Sequence, residues 1–380
     1  MLLRPSFFSL LLFIHIYAYS AWVGQGTLSS ASLYITLFLS IITFQNNTRL
    51  SINYLLLFIF FSMILLSFSF GISGGAYAFM QLLASSLIFF AVLTSFKANR
   101  GLLKLVCFFC VGNIFILFSF WVGTGMVLFK PWVFINLNPN VLGFFSFLNL
   151  FFIIILFTYE RNYITSIFLV FTTSLALMLI VVSGARTAFV ASILAVLIYF
   201  VIRSINIKYK GYFLIIACIF CFIPFLAYGY VFLSESIYSE GLNQLVWEQT
   251  GKSLFTGRND IWAIIFDEVG RNFFFGSGLG ASLEQIGINI SSHNLYLMII
   301  FQVGLVGYLI FMCWLIVMPK VLVPYLGPYN DPIAILSISW VLATLMHQGF
   351  EIFLFQNNLA ASFLFWFVFA IPFTQKNILS

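Results

Sequence analysis

Charge is what this chain has least of. Only 7% of its 380 residues are Asp, Glu, Lys or Arg, while 63% are hydrophobic; a soluble domain carries about 25% charged residues. A surface so poor in charge cannot face water all round. The alternation of apolar and polar positions that a membrane β-barrel requires is missing as well, its place taken by continuous apolar runs. The chain therefore reads as an all-α polytopic membrane protein. It has no internal repeat, and its 51 phenylalanines are bulk that suits lipid or neighbouring helices equally. Cysteine is scarce, with five residues, and none falls in the one long polar segment, which excludes a disulfide there. Cys107 with Cys110 and Cys218 with Cys221 have a spacing that suits zinc. Both pairs sit inside apolar runs without polar neighbours, so they and Cys313 read as apolar filler.

An apolar run of about 20 residues spans the hydrocarbon core. Cutting the chain at its charged and Gly/Asn-rich breaks leaves about twelve transmembrane helices, at 6–23, 28–44, 53–70, 77–96, 104–122, 141–158, 163–182, 187–202, 212–232, 293–318, 333–350 and 354–373. Arg4 and the small residues around Ala21 resemble a cleaved leader, but the segment opens a series of similar helices and is read as a span. The expected organisation is a single integral membrane domain: helices 1–9 in residues 1–232, a large periplasmic loop with short amphipathic helices at 233–292, and helices 10–12 in residues 293–380.

Basic residues are retained on the cytoplasmic side. With both termini cytoplasmic, that side takes eleven basic residues and two acids, and the opposite side takes five and eight. The net charge of +6 is thus a topology signal and gives no support to nucleic-acid binding. The long loop faces outward and holds ten of the 26 charged residues.

Within that loop, Thr256-Gly257-Arg258-Asn259-Asp260 precedes Ile261, Trp262, Ile265 and Val269, which are spaced for one face of a helix with Asp267, Glu268 and Arg271 turned away. The spacing predicts a short amphipathic helix on the outer membrane surface. Its first turn offers free backbone N–H groups beside Arg258, an arrangement that suits a phosphate. Phe275-Gly276-Ser277-Gly278-Leu279-Gly280 follows as a turn. Arg186, in Val182-Ser183-Gly184-Ala185-Arg186-Thr187, lies at the outer junction of the seventh and eighth spans with no acid near it in sequence. It either meets an anionic partner or snorkels to lipid phosphates. Glu351, beyond His347 near the outer end of the eleventh span, is either a cap or a site residue.

His293, in Ser291-Ser292-His293-Asn294 at the start of the tenth span, is either a helix cap or a catalyst. Gly304 and Gly307 follow on one helical face, a spacing that allows close helix approach. His-Asn followed by this Gly-x-x-Gly spacing resembles the signature of the O-antigen polymerase and ligase family of bacterial envelope glycosyltransferases. The order of Ser183–Thr187, Thr256–Trp262, Gly276–Gly280 and His293–Gly307 agrees with that family over residues 140–375.

The resemblance implies a GT-C-like membrane fold and glycan transfer at the periplasmic face of the inner membrane from an undecaprenyl-diphosphate-linked oligosaccharide. Arg186 and Arg258 match positions that bind the diphosphate and stabilise its departure. His293 matches the general base on the acceptor hydroxyl, and Glu351 either orients it or holds the acceptor sugar. Arg271 and Asn294 complete the expected substrate-binding set. No cofactor and no metal are expected, because two arginines can replace a cation at the diphosphate. The bilayer, a chain-length regulator and a flippase are the expected partners. An O-antigen or capsular polymerase leads this reading, with the O-antigen ligase of the same family as the alternative. A flippase for lipid-linked sugars is a third reading; it would carry ionisable groups near the bilayer midplane, whereas here they collect at the outer boundary.

Overall fold

The computed structural model describes residues 35, 100–123, 125–126, 139–159, 162–205, 209–250, 253–255, 257–322, 331–354 and 359–373. The expected spans at 6–23, 28–44, 53–70 and 77–96 lie outside these residues. The chain is an all-helical polytopic membrane protein, with no strand among the described residues. Among the described residues its α-helices are α1 (Arg100–Gly123), α2 (Pro139–Tyr159), α3 (Tyr163–Val182), α4 (Arg186–Ile205), α5 (Tyr209–Ser234), α6 (Ser239–Thr250), α7 (Arg258–Arg271), α8 (Leu295–Leu322), α9 (Pro332–His347) and α10 (Leu359–Ala370). Six of them, α1 to α5 and α8, are long and apolar enough to cross a membrane.

Polar residues at the breaks set the boundaries. Asn162 accepts a hydrogen bond from the Ile164 N–H and so caps α3, and Asp331 accepts from the Ile333 N–H ahead of Pro332 to cap α9. The eleventh expected span is shorter than its apolar pattern, because α9 stops at His347 and Gln348-Gly349 turn the chain out of the helix. The twelfth is shorter too: α10 starts at Leu359, and 351–354 are not helical.

Two helices form the centre. α2 buries fourteen of its residues, and α9 buries thirteen of sixteen. They are joined by Trp340, whose ring stacks on Phe147 and whose indole N–H donates to the Phe147 carbonyl at 3.1 Å. Asn113 donates to Asn149 at 3.2 Å, tying α1 to α2. By contrast, α3, α4 and α5 turn Ile164, Val170, Val190, Leu197, Phe222 and Phe225 outward. In a membrane-spanning bundle these are lipid-facing positions, and where Pro224 lacks an N–H the Phe220 carbonyl accepts from the Tyr308 hydroxyl instead.

The first half of α8 departs from the expected Gly-x-x-Gly helix contact. Gly304 has φ 63° and ψ −171°, which breaks the helix. An unbroken helix would pair the Leu305 N–H with Phe301 O and the Val306 N–H with Gln302 O. Instead those N–H groups donate to the carbonyls of Phe273 and Phe274 (2.8 and 3.1 Å), while Phe301 O and Gln302 O accept from Ser277 and Gly278 (2.8 and 2.7 Å). Two helical bonds are thus exchanged for four bonds to the loop after α7. Buried backbone can leave a helix at little cost when every group is re-paired in this way.

Candidate functional site

The ends that matter meet at one end of the bundle: the start of α2, the α3–α4 turn, the start of α7, the start of α8 and the segment after α9. Lys104, which lies over the Tyr159 ring at 5.9 Å, and Arg203 mark the opposite end.

α7 forms where the apolar spacing predicts it, burying Ile261, Trp262, Ile265 and Val269. Its first residue is Arg258. Gly257, at φ 76°, caps it, and no side-chain cap bond is made there among the described residues. The Trp262 indole N–H donates to the Ser292 carbonyl at 2.7 Å, which fixes α7 against the residue before His293. A second loop helix, α6, was not located by the spacing. It is held by Asn243, whose side-chain oxygen accepts from the Ser253 hydroxyl and the Leu254 N–H.

His293 occupies the left-handed region at φ 49°, which is uncommon for a non-glycine residue and recurs where a site holds a side chain in place. Its backbone N–H donates to the Ser291 hydroxyl at 3.2 Å. Asn294 is fully buried and caps α8, its side-chain oxygen accepting from the Tyr296 and Leu297 N–H groups at 3.0 and 3.1 Å. Its amide nitrogen has no partner among the described residues. The start of α8 is then tied to the end of α9: the Leu295 N–H donates to Gln348 O, and the Tyr296 hydroxyl donates to Leu345 O.

Those ties bring Glu351 under His293, and Glu351 is the hub of the site. Its side chain is only 4% exposed. One carboxylate oxygen meets His293 Nδ1 at 2.9 Å. The other accepts from Asn140 Nδ2 at 2.7 Å and from Arg258 Nη2 at 3.3 Å. Four elements converge on one buried carboxylate, which needs such donors to be tolerated away from water. As a carboxylate, Glu351 only accepts, so Nδ1 carries the imidazole proton and Nε2 keeps its lone pair. The arrangement can take a proton at Nε2 and can bind an anion through the remaining guanidinium N–H groups.

The other expected site residues fall at different distances. Arg186 is the first residue of α4 and is exposed, with no hydrogen bond or ion pair among the described residues. Its turn is seated on the first turn of α2: a Cβ on Gly143 would lie 2.5 Å from the Ala185 Cβ and 2.8 Å from the Ser183 hydroxyl. Asn140, three residues earlier on α2, donates to Glu351, so α2 places Arg186 at the end of the bundle that holds the Glu351 carboxylate. Arg271 is not brought in. It is the last residue of α7, about 20 Å along the helix from Arg258, 76% exposed and paired with Glu268 at 3.3 Å. Thr256, part of the Thr-Gly-Arg motif, lies outside the described residues.

Asn140 was missed from the sequence. The signal available was an asparagine in Asn138-Pro139-Asn140 at a helix start, which reads as capping chemistry. His347 is a second buried ring at the site, stacked on Phe144 at 4.5 Å and on Phe353 at 5.7 Å, and its Nε2 has no partner among the described residues.

Residues 171–312 match the family model described as O-antigen ligase. This is the family that the motifs resemble, and the matched stretch contains Ser183–Thr187, Gly276–Gly280 and His293–Gly307. Over this stretch, 142 of the 380 residues, the chain is similar to that family. Asn140 and Glu351 lie outside the matched residues. A search of curated proteins finds no match.

Proposed function

We propose that the protein is an O-antigen, capsular or exopolysaccharide polymerase that joins undecaprenyl-diphosphate-linked repeat units at the periplasmic face of the bacterial inner membrane. The observation that carries this reading is the single buried carboxylate of Glu351 shared by His293 and Arg258 at a helix start. His293 Nε2 takes the proton of the acceptor hydroxyl, whose oxygen forms the new bond to the anomeric carbon. The bond from that carbon to the diphosphate oxygen breaks, its electron pair leaves with the diphosphate, and the configuration inverts. Arg258 and Arg186 meet the charge that develops on the leaving group. Two guanidinium groups supply what a cation would supply, so the transfer is metal-independent. Glu351 holds the imidazole in the tautomer that leaves Nε2 free. Asn294 supports His293 from behind as the cap of its helix, and a chain-length regulator and a flippase act beside the enzyme.

Extension of undecaprenyl-diphosphate repeat units by the purified protein, with EDTA present, tests the reading. Longer glycans are expected, and His293→Ala should slow the transfer by about 10²–10⁴-fold. Retention of the normal rate by that variant would remove the general base. The description of the matched family favours a second reading, the ligase that moves finished polysaccharide onto lipid A-core. A deletion strain separates the two: single repeat units left on lipid A-core mean polymerase, and a core without any unit means ligase.

A further inference from the structure

Arg258 and His293 hold the same carboxylate from opposite sides. Both of its oxygens are occupied by donors, and the Arg258 contact is the longest of the three at 3.3 Å, against 2.7 Å for Asn140 and 2.9 Å for His293. Glu351 is almost wholly buried, so little solvent screens one partner from the other. Arg258 is the more exposed member of its ion pair and starts α7 at a helix end without a side-chain cap among the described residues. In the free protein, Glu351 therefore stands on Arg258 as an internal anion. The basicity of an imidazole depends on how much negative charge its carboxylate partner keeps for it.

From this shared carboxylate we infer that Arg258 controls the base through Glu351. An anionic diphosphate arriving at Arg258 draws the guanidinium toward itself, leaves more of the Glu351 charge to His293, and so strengthens the base when a donor is present. The inference rests on the proposed diphosphate donor only for the identity of the anion. The charged and titratable groups facing this centre are Arg258 from α7, Glu351 from the segment after α9, and the buried His347 at the end of α9; Asn140 from α2 adds a neutral donor. The device would suppress proton transfer at an empty site and couple donor binding to acceptor activation.

A double-mutant cycle read on the His293 imidazole by NMR of the full-length protein in nanodiscs tests it. Without ligand, Arg258→Gln should move the His293 ring titration to higher pH in the wild-type background. In the Glu351→Gln background the same change should have less than half that effect. Equal effects in both backgrounds would mean that Arg258 acts on His293 directly through space, and the inference would be overturned. Arg258→Lys, which keeps the charge, should stay near the wild-type value and guards against a general loss of structure. Inorganic pyrophosphate added to the wild type should reproduce the Arg258→Gln shift, and farnesyl diphosphate should do so at lower concentration if the source is lipid-linked. A cycle that behaves as expected in a protein that binds neither diphosphate would keep the coupling and remove the donor reading.

Discussion

Gly276 and Gly304 touch backbone to backbone. A Cβ on Gly276 would lie 2.5 Å from the Gly304 nitrogen, and one on Gly304 would overlap the backbone of Phe274 and Phe275. Both residues also have positive φ, 69° and 63°, where a side chain is strained. The pair clasps the loop after α7 to the break in α8. With the Arg258–Glu351 pair at the other end of α7, it holds that helix at both ends.

Gly304→Ala should therefore cost at least about 2 kcal/mol, since neither the overlap with backbone nor the left-handed dihedral can be relieved by a rotamer change. Thermal unfolding in detergent should show a clear drop in Tm. Gly229→Ala is the control, because a Cβ there would meet nothing within 4 Å and its φ is not in the left-handed region. Equal stability of the Gly304 variant and wild type would remove the clasp.

Asn140→Leu should lower transfer by roughly tenfold, the equivalent of one hydrogen bond to a charged group, by leaving Glu351 one donor short. The Km for donor should move less than kcat, because Asn140 bonds the Glu351 carboxylate that holds the base. A fall in donor affinity with unchanged kcat would place Asn140 on the substrate instead.

Trp262→Phe keeps the aromatic body that packs on Tyr230 and deletes only the donor to Ser292 O. A buried carbonyl left unpaired costs about 1–3 kcal/mol. Both stability and activity should decline, because Ser292 precedes the strained His293; native stability with full activity would show that the bond contributes nothing.

The arginines should separate. Arg271→Ala is expected to stay within about twofold of wild-type activity, since its exposed ion pair is worth at most about 1 kcal/mol. Arg186→Ala should lower kcat by about 10²-fold or more if its guanidinium meets the leaving diphosphate. Side-by-side extension assays check both, and the opposite ranking would reverse the assignment of the donor site.

The helices were legible because lipid leaves few alternatives. An apolar run bounded by polar residues has to be a helix there, and the spans at 163–182 and 187–202 appear as Tyr163–Val182 and Arg186–Ile205. The face of α7 was legible from Ile261, Trp262, Ile265 and Val269 for the same periodic reason. The role of Gly304 was not: a glycine three residues from another on an apolar helix signals close packing of helices, and nothing local reveals that a loop thirty residues earlier will enter the ladder.

By itself the sequence determined that this chain must be a bundle of membrane helices with its ionisable residues gathered at breaks, because burying charge in hydrocarbon costs more than any local preference returns. It also singled out His293 and Arg258, as polar residues at helix starts. Only the tertiary structure decided that Glu351 sits between them, that Asn140 completes its donors and that Arg271 is left outside. Residues 140, 258, 293 and 351 come from four separate segments, and which of them share a carboxylate is set by how helices pack side by side, a relation that no periodicity along one chain encodes.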